Sequence, residues 1–340
     1  MLVRVAGRLA AGDGSGAALW ATMLFAAFAP VIPAYGAHRL YVRLRAEGGI
    51  RVDALAIAGP AVVIALSLVM QGVLGAGSYF VTDDWLHIVI AHDAVSGSGL
   101  DLHYLGRIVF IHFAPGHRFA YWLLDELDPL DWGAALAVML ALFTASLVLF
   151  QRICTRLFGR SSWNLLLLGM FGTSVLLVPS FLWFADGVHK FPSTLLTLIA
   201  IDAYLSYRLD RRRTALAVCV AAVSLASLFY AKALLVPLYL VMIRLLFLVE
   251  RPRRALRVLW EERWTWLAFA PTAAIYLWNY LANYSHTRGP SPSLHLLGDY
   301  LWLNWFKGVT PALAGVEVGP HAAQSGALFA TVAQLALIGV

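Results

Sequence analysis

Two adjacent carboxylates, Asp83 and Asp84, end a long apolar run in the stretch SYFVTDDWLHIVIAH, residues 78–92. A carboxylate at such a boundary loses hydration, which raises its pKa and strengthens it as a base. Two neighbours repel each other's charge, so one holds a proton or the pair needs a cation. In a helix the two side chains diverge by about 100°, and in an extended segment they face opposite ways. They are therefore not expected to do the same job. The pair reads as the core of an active site. The same residues would also suit a helix start, with Thr82 or Asp83 capping a helix that begins near Trp85. Trp85 reads as an interfacial anchor.

Three further places hold charge beside apolar sequence. In 105–127, Pro115-Gly116 marks a break, after which Phe119, Trp122, Leu123 and Leu127 recur at helical spacing. Arg118, Asp125 and Glu126 fall on the opposite side, which predicts a short helix lying in a membrane interface. Its N-terminal end presents His117 and Arg118, a combination suited to a phosphate or to a surface pair with a loop carboxylate. In WFADGVHKFP, Asp186, His189 and Lys190 crowd a short connection. Turn formation explains the Asp and Gly, and snorkelling would explain the Lys. Lys232, in SLFYAKALLVPLY, sits at a turn between two apolar runs and needs a carboxylate or an anionic ligand as partner. Asp202, deeper in its run, is given no role.

Two sets, His87 with His92 and Asp93, and His103 with His112 and His117, hold ligand types for a metal. Neither has HExxH or paired spacing. No metal site and no cofactor are assigned, and a divalent ion stays open. A GxSxG elbow, a P-loop and a dinucleotide fingerprint are all lacking, which leaves a nucleotide-driven pump unsupported.

The elements that must position these residues are apolar helices. Apolar residues are 61% of the 340 and charged residues 13%, against about half and about a quarter in ordinary globular chains. Mean hydropathy is +0.75. Several apolar runs reach the ~20 residues that cross a bilayer, so the expected class is an all-α polytopic membrane protein. A first run at about 17–37 contains Pro30 and Pro33 and either spans or lies partly in the interface. No cleavable signal peptide is evident. The basic segment to residue 53 precedes a transmembrane domain over 54–340, with runs at about 54–80, 133–151, 163–183, 191–207, 214–230, 232–249 and 264–282. The last run, 326–340, is too short for a span, so a truncated chain is expected. Cys154 and Cys219 fall at or inside apolar segments and suggest no disulfide framework.

Arginine sets the expected orientation. Loops 38–53, 152–162, 208–213 and 251–263 hold 16 of the 25 Lys and Arg, and alternating spans put all four on one side, the cytoplasmic one. Regions 81–132, 184–190 and 283–325 then face outward in the cell membrane. Region 81–132 carries eight carboxylates against two arginines, and nine of the ten histidines lie on the outer side. The net charge of +6 thus belongs to topology, and no nucleic-acid partner is expected.

An acidic pair just after an early span, followed by interfacial helices in the first large outer loop, resembles the GT-C class of polytopic glycosyltransferases. The likeness covers 54–282 as architecture. It is closest to lipid-linked sugar transferases of the actinobacterial cell envelope, including the arabinofuranosyltransferase and protein mannosyltransferase groups. At residue level it rests on Asp83-Asp84. It implies a polyprenyl-phosphate sugar donor and an acceptor hydroxyl on a glycan, lipid or protein outside the membrane. Asp83, or Asp84 in another register, would be the general base. Arg118, Lys190 and Lys232 would hold the donor phosphate, and His117 and His189 would donate hydrogen bonds, with Asp186 beside them. Two other readings compete. A transporter or lipid flippase would place charges at the bilayer midplane rather than at its outer edge. A non-catalytic envelope scaffold would keep its binding without either aspartate.

Overall fold

The computed structural model describes residues 54–81, 83–97, 100, 102–106, 113–127, 130–174, 177–248 and 255–283, all within one compact unit, 50–286. The described residues are mostly helical and contain no strand. The first apolar run, His112, the 283–325 region beyond residue 283 and the last run lie outside them.

Helix α1 (Ala54–Ala76) is the span expected before the acidic pair. Helix α2 (Asp83–Gly97) starts on the pair itself. A short α3 (Leu102–Gly106) leads to α4 (Pro115–Leu127), the helix predicted after the Pro-Gly break. Proline suits that start because a first-turn N–H has no helical partner to lose. Helix α5 (Trp132–Phe158) is capped by Asp131, whose carboxylate accepts from the Ala134 amide at 3.0 Å.

Two segments depart from expectation. The 163–183 run is divided into α6 (Trp163–Gly172) and α7 (Val178–Leu182). The expected outward connection at 184–190 is instead the first two turns of α8 (Phe184–Leu209). Asp186, His189 and Lys190 therefore project from a helix, at i, i+3 and i+4, rather than from a turn. Helix α9 (Thr214–Phe229) follows, then a 3₁₀ turn (Ala231–Leu235) carrying Lys232, as the sequence placed it, and α10 (Val236–Phe247). The remaining described chain forms α11 (Ala255–Glu261), α12 (Arg263–Leu267) and α13 (Ala270–Asn283).

Residues Ala58–Ala76 of α1 and all of α5 are long and apolar enough to cross a membrane. Helix α8 is as long, 26 residues, but carries Asp186, Lys190, Asp202 and Arg208. Helices α6 and α9 are apolar but only 10 and 16 residues. On α1 the burial pattern is the reverse of that expected in water. Helix α1 exposes Val62, Leu66, Val69 and Val73 along one face, while Ser67 and Gln71 are fully buried. Ser67 donates to the Val63 carbonyl and Gln71 to the Gly172 carbonyl on α6.

Helix α8 is the axis of the unit, packing against α5, α7, α9, α4 and α2. The larger core gathers Tyr121, Phe143, Phe181, Phe184 and Phe191 at its N-terminal half. A second core joins α8 to α9 and α10 around Tyr204, Val223 and Leu240. Gly187 lets α8 approach closely: a Cβ there would stand 2.6 Å from the Ser180 carbonyl oxygen and run into Met139.

Candidate active site

The acidic pair separates on folding. Asp84 is fully buried, whereas Asp83 is half-buried. Successive positions on a helix point about 100° apart, so the register that turns Asp84 inward leaves Asp83 at the edge.

Asp84 is held from three directions. Its Oδ1 accepts from the Tyr121 hydroxyl of α4 at 2.5 Å and from the Ala185 amide at 2.7 Å. Its Oδ2 accepts from the Val81 amide at 2.9 Å, and the Phe184 amide adds to the cradle. One carboxylate thus serves orphan amides at the starts of two helices, α2 and α8. Helix α8 has no cap from its own preceding residue, Trp183, so Asp84 takes that place from 101 residues away. Burial raises its pKa above the usual carboxylate value, and the hydrogen bonds from Tyr121, Val81 and Ala185 work the other way. Burial, and next the Asp84 charge, push the Tyr121 hydroxyl well up. It therefore stays a phenol and a donor.

A row of aromatic rings begins one turn along α2 from Asp83. His87 lies one turn on along α2 and feels the Asp83 charge. Its ring meets His117 edge-on at 4.5 Å between centroids and Tyr121 at 5.0 Å. His117 stacks on His189 of α8 at 4.1 Å. His189 donates from Nδ1 to the Phe229 carbonyl at 2.6 Å, which fixes its ring against the end of α9. It also lies 5.9 Å from the Tyr230 ring, and the Lys232 ammonium sits 5.2 Å from the centre of that same ring. Burial first, then the charges of Arg118 and His189, lower the His87 pKa to about 4, so His87 is neutral at pH 7.

Arg118 is 4% exposed. Its guanidinium lies 5.9 Å from the centre of the Tyr104 ring, and Tyr104 donates to the Arg118 carbonyl at 3.0 Å. The sequence predicts an interfacial helix with Arg118, Asp125 and Glu126 opposite its apolar face. In the structure His117, Arg118 and Tyr121 turn inward, while Phe119, Leu123 and Leu127 face out. Gly116 permits this docking, because a Cβ would meet the Phe229 ring at 2.9 Å. The Asp125 side chain is also largely covered, with His92 donating to it at 3.4 Å.

Of the residues singled out in the sequence, His117, His189 and Lys232 thus join one line of ring contacts, and the charges of Asp83 and Arg118 are felt by His87 at its end. Asp186 and Lys190 flank His189 on α8 but bond to each other at 2.7 Å, and Ser180 also donates to Asp186 at 2.7 Å. Among the described residues no three His, Cys, Asp or Glu side chains gather as a metal site. The histidine rings stack in a row rather than surround a point. Sequence reasoning passed over Tyr121 and assigned His87 only to a metal set. The signal was there: His87 is four residues after Asp83, and Tyr121 four after His117, the spacing that shares a helix face.

Compared with protein-family models, with curated proteins and with solved structures, the chain matches none.

Proposed function

We propose that the chain is a polytopic membrane glycosyltransferase of GT-C type. It moves a sugar from a polyprenyl-phosphate donor to an acceptor hydroxyl on the extracytoplasmic face. The observation that carries this reading is the division of the acidic pair. One carboxylate is consumed by the fold, while its neighbour stays at the edge of a cluster that contains a buried arginine and three histidines. The outward apolar faces of α1 and α4 support a bilayer setting for that cluster, because only an apolar solvent favours that arrangement.

In this reading Asp83 takes the proton of the acceptor hydroxyl. The acceptor oxygen bonds to the anomeric carbon as the bond from that carbon to the phosphate oxygen breaks. Polyprenyl phosphate leaves with the extra negative charge. Arg118 and Lys232 supply the positive field that offsets it, His117 offers a ring N–H to the sugar or phosphate, and His189, its Nδ1–H held by the Phe229 carbonyl, presents Nε2 to a sugar hydroxyl. Lys190, already bonded to Asp186, contributes charge at longer range. His87, neutral beside Asp83, leaves the carboxylate as the base. A membrane-borne donor suits an outward site, since soluble nucleotide sugars are kept on the other side.

The test is transfer from short-chain polyprenyl-phosphate sugars by the purified, reconstituted chain. Asp83→Asn is expected to lower the rate by about 10²–10⁴-fold, the usual worth of a positioned base, with insertion and melting unchanged. Full activity in both Asp83→Asn and Asp84→Asn would sink the assignment. Uptake or lipid scrambling without sugar transfer would favour a transporter instead.

A further inference from the structure

The opposite end of the unit carries a surface that the transfer reaction does not use. Arg208 lies 24 residues along α8 from Phe184, about 36 Å away at 1.5 Å per residue. There Glu262, between α11 and α12, is clamped by Arg208 of α8 at 2.5 Å and by Arg244 of α10 at 2.8 Å. Thr265 is buried against the same helices, with its hydroxyl 3.4 Å from that of Tyr207. The α11–α12 segment is therefore fixed to the unit by one face.

Its other face is exposed. Trp260 is 70% and Trp264 71% accessible, one helical turn apart, and Leu267 follows. The Arg263 guanidinium lies over both rings, 5.1 Å from Trp260 and 5.5 Å from Trp264. Arg263 makes no ion pair among the described residues, and neither do the exposed Arg211, Arg212 and Arg213 of the neighbouring loop. Beyond Leu267 the outward surface turns apolar, with Ile275, Leu277 and Trp278 exposed on α13. Large aromatic rings, then cations without a protein counter-charge, then an apolar helix face make the profile of a headgroup layer beside hydrocarbon.

We propose that α11–α12 docks the anionic headgroups of membrane phospholipids, with Arg263 placed between Trp260 and Trp264 to meet the lipid phosphate. The occupant is lipid rather than an acidic protein because the patch continues into the α13 face, and a single bilayer covers both. The inference rests on the membrane setting of the unit and not on the transfer chemistry at Asp83.

The test uses the full chain in phosphatidylcholine vesicles containing phosphatidylglycerol, with each lipid in turn brominated so that it quenches tryptophan fluorescence on contact. The chain has 12 tryptophans, so the signal is the difference between the parent and a Trp260→Phe/Trp264→Phe variant. The expected result is stronger quenching of that difference by brominated phosphatidylglycerol than by brominated phosphatidylcholine. Arg263→Gln is expected to abolish the preference while circular dichroism and melting match the parent, and added salt to weaken it. Equal quenching by the two lipids overturns the anionic assignment. Quenching by neither overturns the lipid contact, which is the outcome if a protein covers the patch. No activity is read, so failure here is separable from failure of the glycosyltransferase reading.

Discussion

Asp83 and Asp84 differ by one position and by everything that surrounds them. Asp84→Asn puts an amide where four donors converge, so part of the cradle loses its acceptor, at a cost of about 1–3 kcal/mol. A lowered melting temperature in detergent, set beside an unchanged one for Asp83→Asn, checks that split. His87 gives a pH signature. Its folded pKa is about 4 against the ordinary histidine value of 6.5, so between those values the unfolded chain binds more protons and stability rises with pH. Acidifying from pH 7 toward pH 4 is expected to lower the melting temperature through this residue. Asp84, whose pKa is raised, acts in the opposite sense, so the difference between the parent and His87→Gln is the quantity to follow. A pH dependence identical in the two proteins would refute the shift. The pair itself was legible in the sequence because charge next to an apolar run stands out. Which member is buried was not legible, because the donors that decide it, Tyr121 and Ala185, come from 37 and 101 residues away.

At the level of elements, helix α8 could be read as an apolar run but not as reaching back to Phe184. Asp, Gly, His and Lys in 186–190 have the composition of a turn. Tertiary contacts override that preference: the Asp84 carboxylate caps the first amides, and Asp186 bonds to Lys190 one turn on. The same override explains α4. Its helical period was visible, but not which of its polar residues would dock: His117, Arg118 and Tyr121 turn to the protein while Glu126 stays exposed. Gly187 sits where α8 crosses α7 and α5. Gly187→Ala is expected to destabilise the unit by about 1–3 kcal/mol, the usual cost of overpacking. Gly77→Ala meets nothing within 4 Å and should leave melting unchanged, so the two together check the close approach.

Over the whole described unit, charge is sorted by end. Asp83, the histidine row and Lys232 gather where α8 begins. Where it finishes, Arg152 and Arg156 pair with Asp202, Arg156 also with Asp210, and Glu262 with Arg208 and Arg244. The arginine count along the sequence picks out three of the loops whose residues pair at that end, and the side of a membrane they face is part of our proposal. It could not assign Asp202 a partner, which is set by how α5 meets α8. Single cysteines in place of the exposed Asp93 and Arg257 should label with an impermeant maleimide from opposite sides of a sealed vesicle. The native Cys154 and Cys219 are buried and should stay silent; labelling of both new sites from one side would refute the expected topology. The Asp84 cap also has a consequence for biogenesis. Its α8 amides are 101 residues downstream, roughly 5–20 s of synthesis at typical ribosomal rates. Until they arrive, Asp84 has only the Val81 amide and the Tyr121 hydroxyl as donors. The acidic centre is complete only after α8 has been made.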